Sequence, residues 1–374
     1  MPDLDGLRAV AVGLVLTEHF VTICLPIYPL QNICRFGWVG VDLFFVISGF
    51  LIGGILLDNR SAANYYRVFY VRRFFRIIPL YFLMLLPMFG VLLIGWQNRF
   101  AGHGLGALSW GTVMLYISFQ QNLGNGLFFV TPGYLAPAWS LAIEQQFYLL
   151  MPPLVRNLNK AILLKLIVMA IVTALLLRMV LVFGFPNAGW ATFAPTMLLP
   201  CRWDALLMGV LVAYLVREAV FMDWISKHLG WLRFICSVLG LGVLGMALAG
   251  LHTENHLVST LGYSWIAAFF SAILMLSQVN PLGRIYYWLS RPAFKPIATI
   301  SYGLYLIQGA TLAFSQSILV ERLHWTTNIW NTIEVNLLTL TLTVVLSALS
   351  WKYFERQMIR YTRHQRFSLT QESA

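Results

Sequence analysis

Charged residues are scarce in this chain of 374 residues, since Asp, Glu, Lys and Arg together make up 10% of it. A soluble domain carries roughly 25% charged residues, so the deficit excludes an ordinary water-facing surface. Low-complexity runs and short-period repeats are also absent, which excludes a solenoid or a linker-rich protein. Hydrophobic residues instead account for 59% of the sequence, and they fall into long apolar stretches.

Cysteine is also rare, and the four cysteines show neither the CxxC spacing of a zinc site nor a disulfide framework. They are Cys24, Cys34, Cys201 and Cys236. The sequence contains no Walker loop, no GxGxxG after a strand, and no HExxH or GxSxG motif. We therefore expect no metal site and none of the chemistries that these motifs serve.

Apolar stretches near the length that crosses a bilayer recur along the chain. They lie at about 7–30, 38–58, 77–97, 139–155, 162–183, 198–216, 234–251, 257–277, 297–320 and 332–352. They predict an all-α, polytopic transmembrane bundle of about ten helices, which forms a single domain over residues 1–374. Residues 357–374 are expected to be a short basic cytoplasmic tail. The acidic N-terminus lacks a signal-peptide cleavage site, so the first span is expected to remain as an anchor.

The net charge of +11 would suit a nucleic-acid-binding protein, but the basic residues lie in the gaps between the apolar stretches. If the N-terminus is cytoplasmic and residues 105–123 do not span, most of the 25 Lys and Arg lie on the cytoplasmic side. We therefore expect two cytoplasmic termini, no nucleic-acid partner, and contact with anionic lipid or a phosphate-bearing molecule. Residues 98–138 become a long outer segment with a re-entrant or interfacial piece, folded against the bundle as a lid or acceptor platform.

The first predicted span contains two ionisable residues on one face. Arg8 and His19 are eleven residues apart, so in a regular α-helix they lie about 20° apart around the axis and about 16 Å apart along it. Glu18 is next to the histidine. A snorkelling arginine and a hydrogen-bonded core histidine would explain the pair, but ionisable residues inside membrane spans are more often functional.

An arginine cluster opens the third predicted span, where RRFFR supplies Arg72, Arg73 and Arg76, and Pro79 suits the first turn of a helix. Arginine is well suited to bidentate phosphate contacts. Arg72 and Arg76 are four residues apart, so a regular helix places them on one face. The alternative is that the cluster only anchors the cytoplasmic end of the span.

The fourth predicted span carries a carboxylate, Glu144, about one and a half turns from its outer end. Trp139, Ser140 and Tyr148 lie in the same segment. An intramembrane carboxylate must face the bundle interior or a wet cavity, and it needs a partner. A structural salt bridge is the alternative, but this polar and aromatic neighbourhood favours a functional role.

Three more charged residues lie near the outer ends of predicted spans, namely Asp42, Arg202 and Asp204. They are expected either to contact substrate or to form a structural charge network. A salt bridge between helices is plausible for Arg202 with Asp204 or with Asp42.

Six motifs stand in order along the chain: LDGLRAVAVGLVLTEHF, FFVISGFLI, RRFFR, WSLAIEQQFYL, RWDALLMG and ISYGLYLI. In this order and spacing they resemble the acyltransferase-3 family of bacterial membrane acyltransferases, over nearly the whole chain. The first motif fits the family pattern of a basic residue, ten residues and a histidine, through Arg8 and His19. Gln308 stands where many members have histidine, and Glu18 stands where members usually have an apolar or aromatic residue.

The resemblance implies a multi-pass O-acyltransferase of the bacterial inner membrane whose donor is acyl-CoA, usually acetyl-CoA. The implied acceptor is a hydroxyl of a carbohydrate, such as the O-antigen of lipopolysaccharide, an exopolysaccharide or a similar glycan. The site residues it implies are His19, Arg8 and Glu144 in catalysis and Arg72, Arg73 and Arg76 in donor binding.

A mechanism follows as a hypothesis. The CoA phosphates bind the cytoplasmic arginines, and the pantetheine arm passes between the helices toward His19. His19 acts as a general base on the acceptor hydroxyl or forms a transient acyl-imidazole, and Glu144 or Glu18 holds its ring. The competing class is a transporter or flippase of a lipid-linked glycan, which would also have intramembrane charges. The sequence leaves the acceptor, the acyl chain and the oligomeric state open.

Overall fold

The computed structural model describes residues 1–21, 30–94, 109–128, 133–315, 329–362 and 364–368. Within these residues the chain is all-helical, as the sequence predicts. The α-helices are α1 Pro2–Leu16, α2 Leu30–Arg35, α3 Gly40–Asp58, α4 Tyr65–Leu93, α5 Trp110–Ile117, α6 Gln121–Phe128, α7 Ala138–Asn157, α8 Lys160–Gly184, α9 Gly189–Met197, α10 Leu199–Leu215, α11 Ala219–Lys227, α12 Leu229–Leu248, α13 Tyr263–Val279, α14 Arg284–Leu289, α15 Phe294–Ser315, α16 Ile329–Ser350 and α17 Arg356–Tyr361. Short π-helical segments at Thr17–Val21, Val258–Gly262 and Trp351–Glu355, and 3₁₀ turns at Phe36–Val39 and Gly133–Leu135, adjoin them.

Eight helical stretches in the described part of the chain are long and apolar enough to cross a membrane. They are Leu30–Asp58, Tyr65–Leu93, Lys160–Gly184, Gly189–Leu215, Leu229–Leu248, Val258–Val279, Phe294–Ser315 and Trp330–Tyr361. Each overlaps one of the predicted spans, so the chain is a multi-pass membrane protein.

The other two predicted spans are helices of more polar character. The first predicted span, 7–30, corresponds to α1 and the π-helical segment that ends at Val21, and residues 22–29 lie outside the described residues. The span at 139–155 corresponds to α7, which has 20 residues. A 20-residue helix is about 30 Å long, the thickness of the bilayer core, so the total of about ten spans stays a prediction.

The arginine cluster lies inside α4 rather than at its start. The sequence predicts a span at 77–97 with Pro79 in its first turn, whereas α4 begins at Tyr65 and has 29 residues, with Pro79 and Pro87 in its interior. This boundary was therefore wrong. The cause is that a helix continues through polar residues when one face packs on the protein, which a hydropathy window does not detect.

The helices α3 and α10 approach so closely that their backbones touch. A Cβ added to Gly49 would lie 1.8 Å from the carbonyl oxygen of Leu206, and one added to Gly209 would lie 2.1 Å from that of Val46. Small residues of this kind allow close packing of membrane helices. The contact lies near the middle of both helices, whose first turns carry the site residues Asp42 and Arg202.

The predicted outer segment, 98–138, folds against the bundle in its described part. The helices α5 and α6 have eight residues each, so each is about 12 Å long and too short to cross a bilayer. The side-chain amide of Gln121 donates to the carbonyl of Ala138 over 2.8 Å, and that of Asn122 donates to the carbonyl of Met197 over 3.1 Å. Residues 98–108 and 129–132 lie outside the described residues, and the re-entrant or interfacial piece stays a prediction.

The beginning of α4 and the C-terminal segment meet at one end of the bundle. The backbone N–H of Ala63 donates to the carbonyl of Ser368 over 3.1 Å, and the side-chain amide of Asn64 donates to the carbonyl of Arg366 over 2.9 Å. The part of the basic tail at 364–368 is thus docked on the protein. Which side of the membrane this end faces stays a prediction.

Candidate active site

Three arginines and one carboxylate line a narrow cavity of about 100 Å³ between α1, α3, α4, α7 and α15. Arg8 comes from α1, Arg73 and Arg76 come from α4, and Glu144 comes from α7. We name this space the arginine cavity. Among its described lining residues, three cations face one carboxylate, so the cavity has an excess of positive charge that suits an anionic ligand.

The geometry of α4 explains which arginines reach this cavity. Arg73 and Arg76 are three residues apart and share a face of the helix. Arg72 lies on another face, where its guanidinium donates to the carbonyl of Gln365 and lies 5.6 Å from the ring centre of Phe367. The predicted cluster of three is therefore divided, with two members in the cavity and one against the C-terminal segment.

Glu144 is held in the arginine cavity by two hydroxyl donors. Ser48 donates to its Oε1 over 2.7 Å, and Tyr148 donates to its Oε2 over 3.0 Å. The ring of Tyr148 also lies 5.8 Å from the guanidinium of Arg73. The carboxylate is thus fixed beside the arginines, and it lines a different cavity from the one that contains His19.

His19 lines a second and larger cavity of about 450 Å³. We name this space the histidine cavity. The predicted site residues Glu18, Asp42, Trp139 and Arg202 also line it. Other lining residues include Asn125, Gly133 and Ala136 of the predicted outer segment, so that segment forms part of the wall. Among the described ionisable residues, Arg202 faces the carboxylates of Glu18, Asp42 and Glu254, with His19 beside them.

The ring of His19 lies in the π-helical segment that follows α1. Its Nδ1 is 2.8 Å from the carbonyl oxygen of Val15, and because a carbonyl oxygen only accepts, Nδ1 is the donor. The neutral ring therefore carries its lone pair on Nε2. Glu18 Oε2 is 4.0 Å from Nδ1, so Glu18 is the carboxylate beside the ring.

Arg8 and His19 line different cavities. The sequence predicts that they lie about 16 Å apart along the axis of a regular α-helix, which agrees with this separation. Their shared face stays a prediction, because His19 lies in the π-helical segment, whose hydrogen bonds run i→i+5. The structure places Arg8 in the arginine cavity and His19 in the histidine cavity. Segments of this kind occur frequently at functional sites.

Two residues border both cavities, Val41 on α3 and Tyr305 on α15. The hydroxyl of Tyr305 is 2.6 Å from that of Ser140 and 3.1 Å from the carbonyl of Pro137. Ser140 lines the arginine cavity, so the wall is anchored at the start of α7. Neither Val41 nor Tyr305 is among the predicted site residues, although Tyr305 lies in the ISYGLYLI motif.

Two buried ion pairs support the histidine cavity. Arg202 Nη2 donates to Asp42 Oδ1 over 2.7 Å, and Arg178 Nη2 donates to Asp204 Oδ2 over 2.9 Å. All four side chains are at most 1% exposed. The guanidinium of Arg202 lies 3.6 Å from the ring centre of Tyr263. Arg202 is therefore paired with Asp42, while Asp204 is paired with Arg178, which the sequence analysis did not consider.

The two cavities share the lining residues Val41 and Tyr305 but offer different chemical groups. The arginine cavity offers guanidinium groups to an anionic ligand, and the histidine cavity offers a histidine with a free lone pair on Nε2. Such a ring can act as a general base or as a nucleophile. In the described part of the chain no group of three or more His, Cys, Asp or Glu residues could hold a metal ion.

The family model of the acyltransferase-3 family, described as an acyltransferase domain, matches residues 1–352. The chain therefore belongs to this family. Nothing in the comparisons favours the transporter or flippase alternative.

Three relatives of this chain have names that include the word O-acetyltransferase. The peptidoglycan O-acetyltransferase OatA of Listeria monocytogenes is 27% identical, over 95% of this chain and 55% of the relative. A protein of Staphylococcus aureus strain MSSA476, named "Putative O-acetyltransferase", is 26% identical over 95% of this chain and 56% of the relative. A third, the "Putative peptidoglycan O-acetyltransferase YrhL" of Bacillus subtilis, is 34% identical over 41% of this chain and 23% of the relative. The chain thus spans just over half the length of the first two, and no solved structure matches it.

Proposed function

We propose that this protein transfers an acyl group, acetyl in the first place, from acyl-CoA to a hydroxyl of a cell-envelope glycan at or across the bacterial inner membrane. The observation that carries the proposal is the placement of Arg8, Arg73 and Arg76 in one cavity and His19 in the next, with Val41 and Tyr305 between them. The O-acetyltransferase names of the relatives support an acetyl group and a glycan acceptor, and O-antigen, exopolysaccharide and peptidoglycan are candidates of this class.

The arginine cavity is the proposed donor site. Guanidinium groups bind phosphate through charge-assisted, bidentate hydrogen bonds. A cavity of about 100 Å³ is too small for a whole CoA molecule, so we expect the phosphates at the partly exposed Arg73 and the exposed Arg76, and only the thioester arm deeper inside. Glu144 lies beside these arginines, so its proposed role is to position them through its charge.

His19 is the proposed reacting residue. In direct transfer, Nε2 removes the proton of the acceptor hydroxyl as the oxygen attacks the thioester carbonyl. The carbon–sulfur bond breaks, and the CoA thiolate leaves and takes the proton from the imidazolium. In a relay, Nε2 attacks the thioester carbonyl, the carbon–sulfur bond breaks, and CoA leaves as the thiolate, which gives an acyl-imidazolium whose Nδ1 keeps its proton. The acceptor hydroxyl then attacks the acyl carbon, the carbon–nitrogen bond breaks, and the hydroxyl proton neutralises the thiolate. Glu18 would stabilise the charged ring in either route.

The test uses the full chain purified into lipid nanodiscs, with radiolabelled acetyl-CoA and total cell-envelope glycan from a strain that lacks the gene. We expect the wild-type protein to label the glycan and His19→Ala to lose this activity while it keeps its melting temperature. The matched control is His228→Ala, because Nδ1 of His228 makes the same contact with a carbonyl four residues earlier, at 2.8 Å, but lies outside both cavities.

Three outcomes decide the matter. A wild-type protein that labels no glycan fraction contradicts the proposed function. Retained labelling in His19→Ala removes His19 from the mechanism. In the absence of acceptor, radiolabel that is bound to the wild-type protein but not to His19→Ala supports the relay. A wild-type protein that carries no label under these conditions supports direct transfer.

A further inference from the structure

Six buried side-chain atoms on residues that line the histidine cavity lack a hydrogen-bond partner within the described chain. They are Trp38 Nε1, Asp42 Oδ2, Arg202 Nε and Nη1, and Gln308 Nε2 and Oε1. Among the described residues that line the arginine cavity, none has a buried side-chain atom of this kind.

An unpartnered buried polar group costs about 1–3 kcal/mol, so a cluster of six is not expected in a closed core. These groups also come from four separate elements: the 3₁₀ turn Phe36–Val39, α3, α10 and α15. Convergence of a few polar groups from several elements on one cavity with aromatic walls is typical of a ligand site. Their common feature is the cavity that they border.

Two of these side chains are held in place while their polar atoms stay unused. Arg202 is fixed by its bond to Asp42 and by the ring of Tyr263, yet its Nε and Nη1 have no partner among the described residues. Gln308 is completely buried, and neither atom of its amide has a partner there. Gln308 lies on α15 three residues after Tyr305, so both side chains share the face that borders the cavity.

The charges around the cavity indicate what kind of ligand these groups accept. Arg202 is already neutralised by Asp42 at 2.7 Å, and Glu18 and Glu254 add further negative charge. An acidic ligand would be repelled by these carboxylates, whereas hydroxyl groups both donate and accept hydrogen bonds. The unused atoms include donors on Trp38, Arg202 and Gln308 and acceptors on Asp42 and Gln308.

We propose that Trp38, Asp42, Arg202 and Gln308 form a subsite that binds an uncharged sugar ring through its hydroxyls and holds one hydroxyl beside His19. The subsite rests on the proposed function, because it supplies the acceptor for acyl transfer. It assigns a role to Gln308, and it narrows the acceptor to a glycan unit without a carboxylate or phosphate on the ring that is acylated.

The first test is kinetic and compares Gln308→Leu with Gln145→Leu. Gln145 is a matched control, because its Nε2 is also buried without a partner within the described chain but the residue lines neither cavity. Leucine has nearly the same size and removes the amide. We expect Gln308→Leu to raise the acceptor KM about tenfold, as expected for one or two lost hydrogen bonds. In Gln308→Leu the KM for acetyl-CoA should stay unchanged, and the melting temperature should not fall. Gln145→Leu should leave both KM values unchanged.

A structural role for Gln308 predicts the opposite pattern, with a lower melting temperature and an unchanged acceptor KM. That pattern overturns the proposal. An acceptor KM that stays unchanged at constant stability overturns it as well, because the unpartnered atoms would then hold only water.

The second test measures binding without catalysis, so it separates the subsite from the proposed function. The probes are the methyl glycosides of glucose, galactose and N-acetylglucosamine, and those of glucuronic and galacturonic acid, observed by saturation-transfer NMR on the nanodisc protein. We expect at least one neutral glycoside to bind, the uronides to bind more weakly, and Gln308→Leu to reduce binding of the neutral probe. Uronides that bind as well as the neutral probes, or no binding by any neutral probe, overturn the subsite even if acyl transfer is observed. Binding of a neutral sugar without acyl transfer supports the subsite and contradicts the proposed function.

Discussion

The arginine cavity and the histidine cavity share a wall but differ in charge, size and hydrogen bonding. The first is narrow, carries three arginines against one carboxylate, and pairs Glu144 with Ser48 and Tyr148. The second has a volume of about 450 Å³, more carboxylates than arginines among its described lining, and six unpartnered buried polar atoms. The first cavity thus offers positive charge, and the second offers unpartnered hydrogen-bond donors and acceptors.

Under the proposed function, this difference gives each of the two substrates its own environment in a membrane protein with few charged residues. Charges and polar atoms inside a bilayer are costly, so they are concentrated where they are used. Val41 and Tyr305 line both cavities. In the proposed reaction this wall would limit the access of water from the histidine cavity to the thioester. Substitutions can change the residues of each cavity and of the wall separately.

The largest expected effect comes from Arg202→Met, which breaks the buried pair that supports the histidine cavity. It leaves the Asp42 carboxylate buried without a partner, so we expect a loss of about 3–5 kcal/mol in the free energy of unfolding. The double variant with Asp42→Leu should recover most of this stability, because no unpaired charge remains. The measurement is unfolding of the nanodisc or detergent-solubilised protein.

The control for this change is Arg217→Met, which breaks the pair of Arg217 with Asp58 at 2.6 Å. Both of these side chains are partly exposed, so the expected loss is below about 1 kcal/mol. Equal losses in the two variants would show that burial does not strengthen the Asp42–Arg202 pair. If the double variant recovers its fold but not its acceptor affinity, the pair also contributes to the proposed subsite.

The next effect is on donor binding through the arginine cavity. Arg73→Ala combined with Arg76→Ala removes two charge-assisted contacts of about 1.5 kcal/mol each, so the dissociation constant of acetyl-CoA should rise about 10²-fold. Isothermal titration calorimetry in nanodiscs measures this value. Arg67→Ala is the control, because Arg67 is an exposed arginine of α4 outside the cavity and its removal should leave donor affinity unchanged. An unchanged constant in the double variant would leave these arginines with a topological role alone.

The sequence predicts most of the helices and the residues that carry charge, because apolar length and intramembrane ionisable residues are strong signals. Arg8, His19 and Glu144 could be identified in this way. The two cavities that contain them could not, because side chains from several helices line each cavity and the hydropathy pattern does not show which helices pack together.

Contacts between residues that are distant in sequence could not be predicted either. The pair of Arg178 with Asp204 joins α8 to α10, and nothing local distinguishes Arg178 from an arginine at the end of a span. The wall residues Val41 and Tyr305 look like ordinary apolar and aromatic residues of membrane helices. The unpartnered state of Gln308 depends on what surrounds it, so a single sequence shows only that a polar residue lies in a predicted span.

Tyr305→Ala is expected to have a moderate effect, which is on the coupling of acetyl-CoA cleavage to acetyl transfer and not on the affinity for either substrate. Removal of the ring opens the wall between the cavities and admits water to the thioester. We expect the ratio of acetyl-CoA hydrolysis to acetyl transfer to rise several-fold, as measured by free thiol release against labelled glycan. Tyr305→Phe removes only the hydroxyl that contacts Ser140 and Pro137, so its ratio should stay near that of the wild type. A wild-type ratio in Tyr305→Ala would show that the ring does not separate the two cavities.

The smallest effect is expected for Arg72→Ala, which separates the third arginine of the cluster from the other two. Arg72 donates to the carbonyl of Gln365 at an exposed site and contacts the ring of Phe367, so its loss should weaken docking of residues 364–368 by about 1 kcal/mol. Hydrogen exchange in that segment should become faster, while the affinity for acetyl-CoA changes far less than in the Arg73 and Arg76 double variant. The opposite result would be a loss of donor affinity as large as in that double variant, with unchanged hydrogen exchange at 364–368. It would show that Arg72 binds the donor and that its contacts with the C-terminal segment do not stabilise that segment.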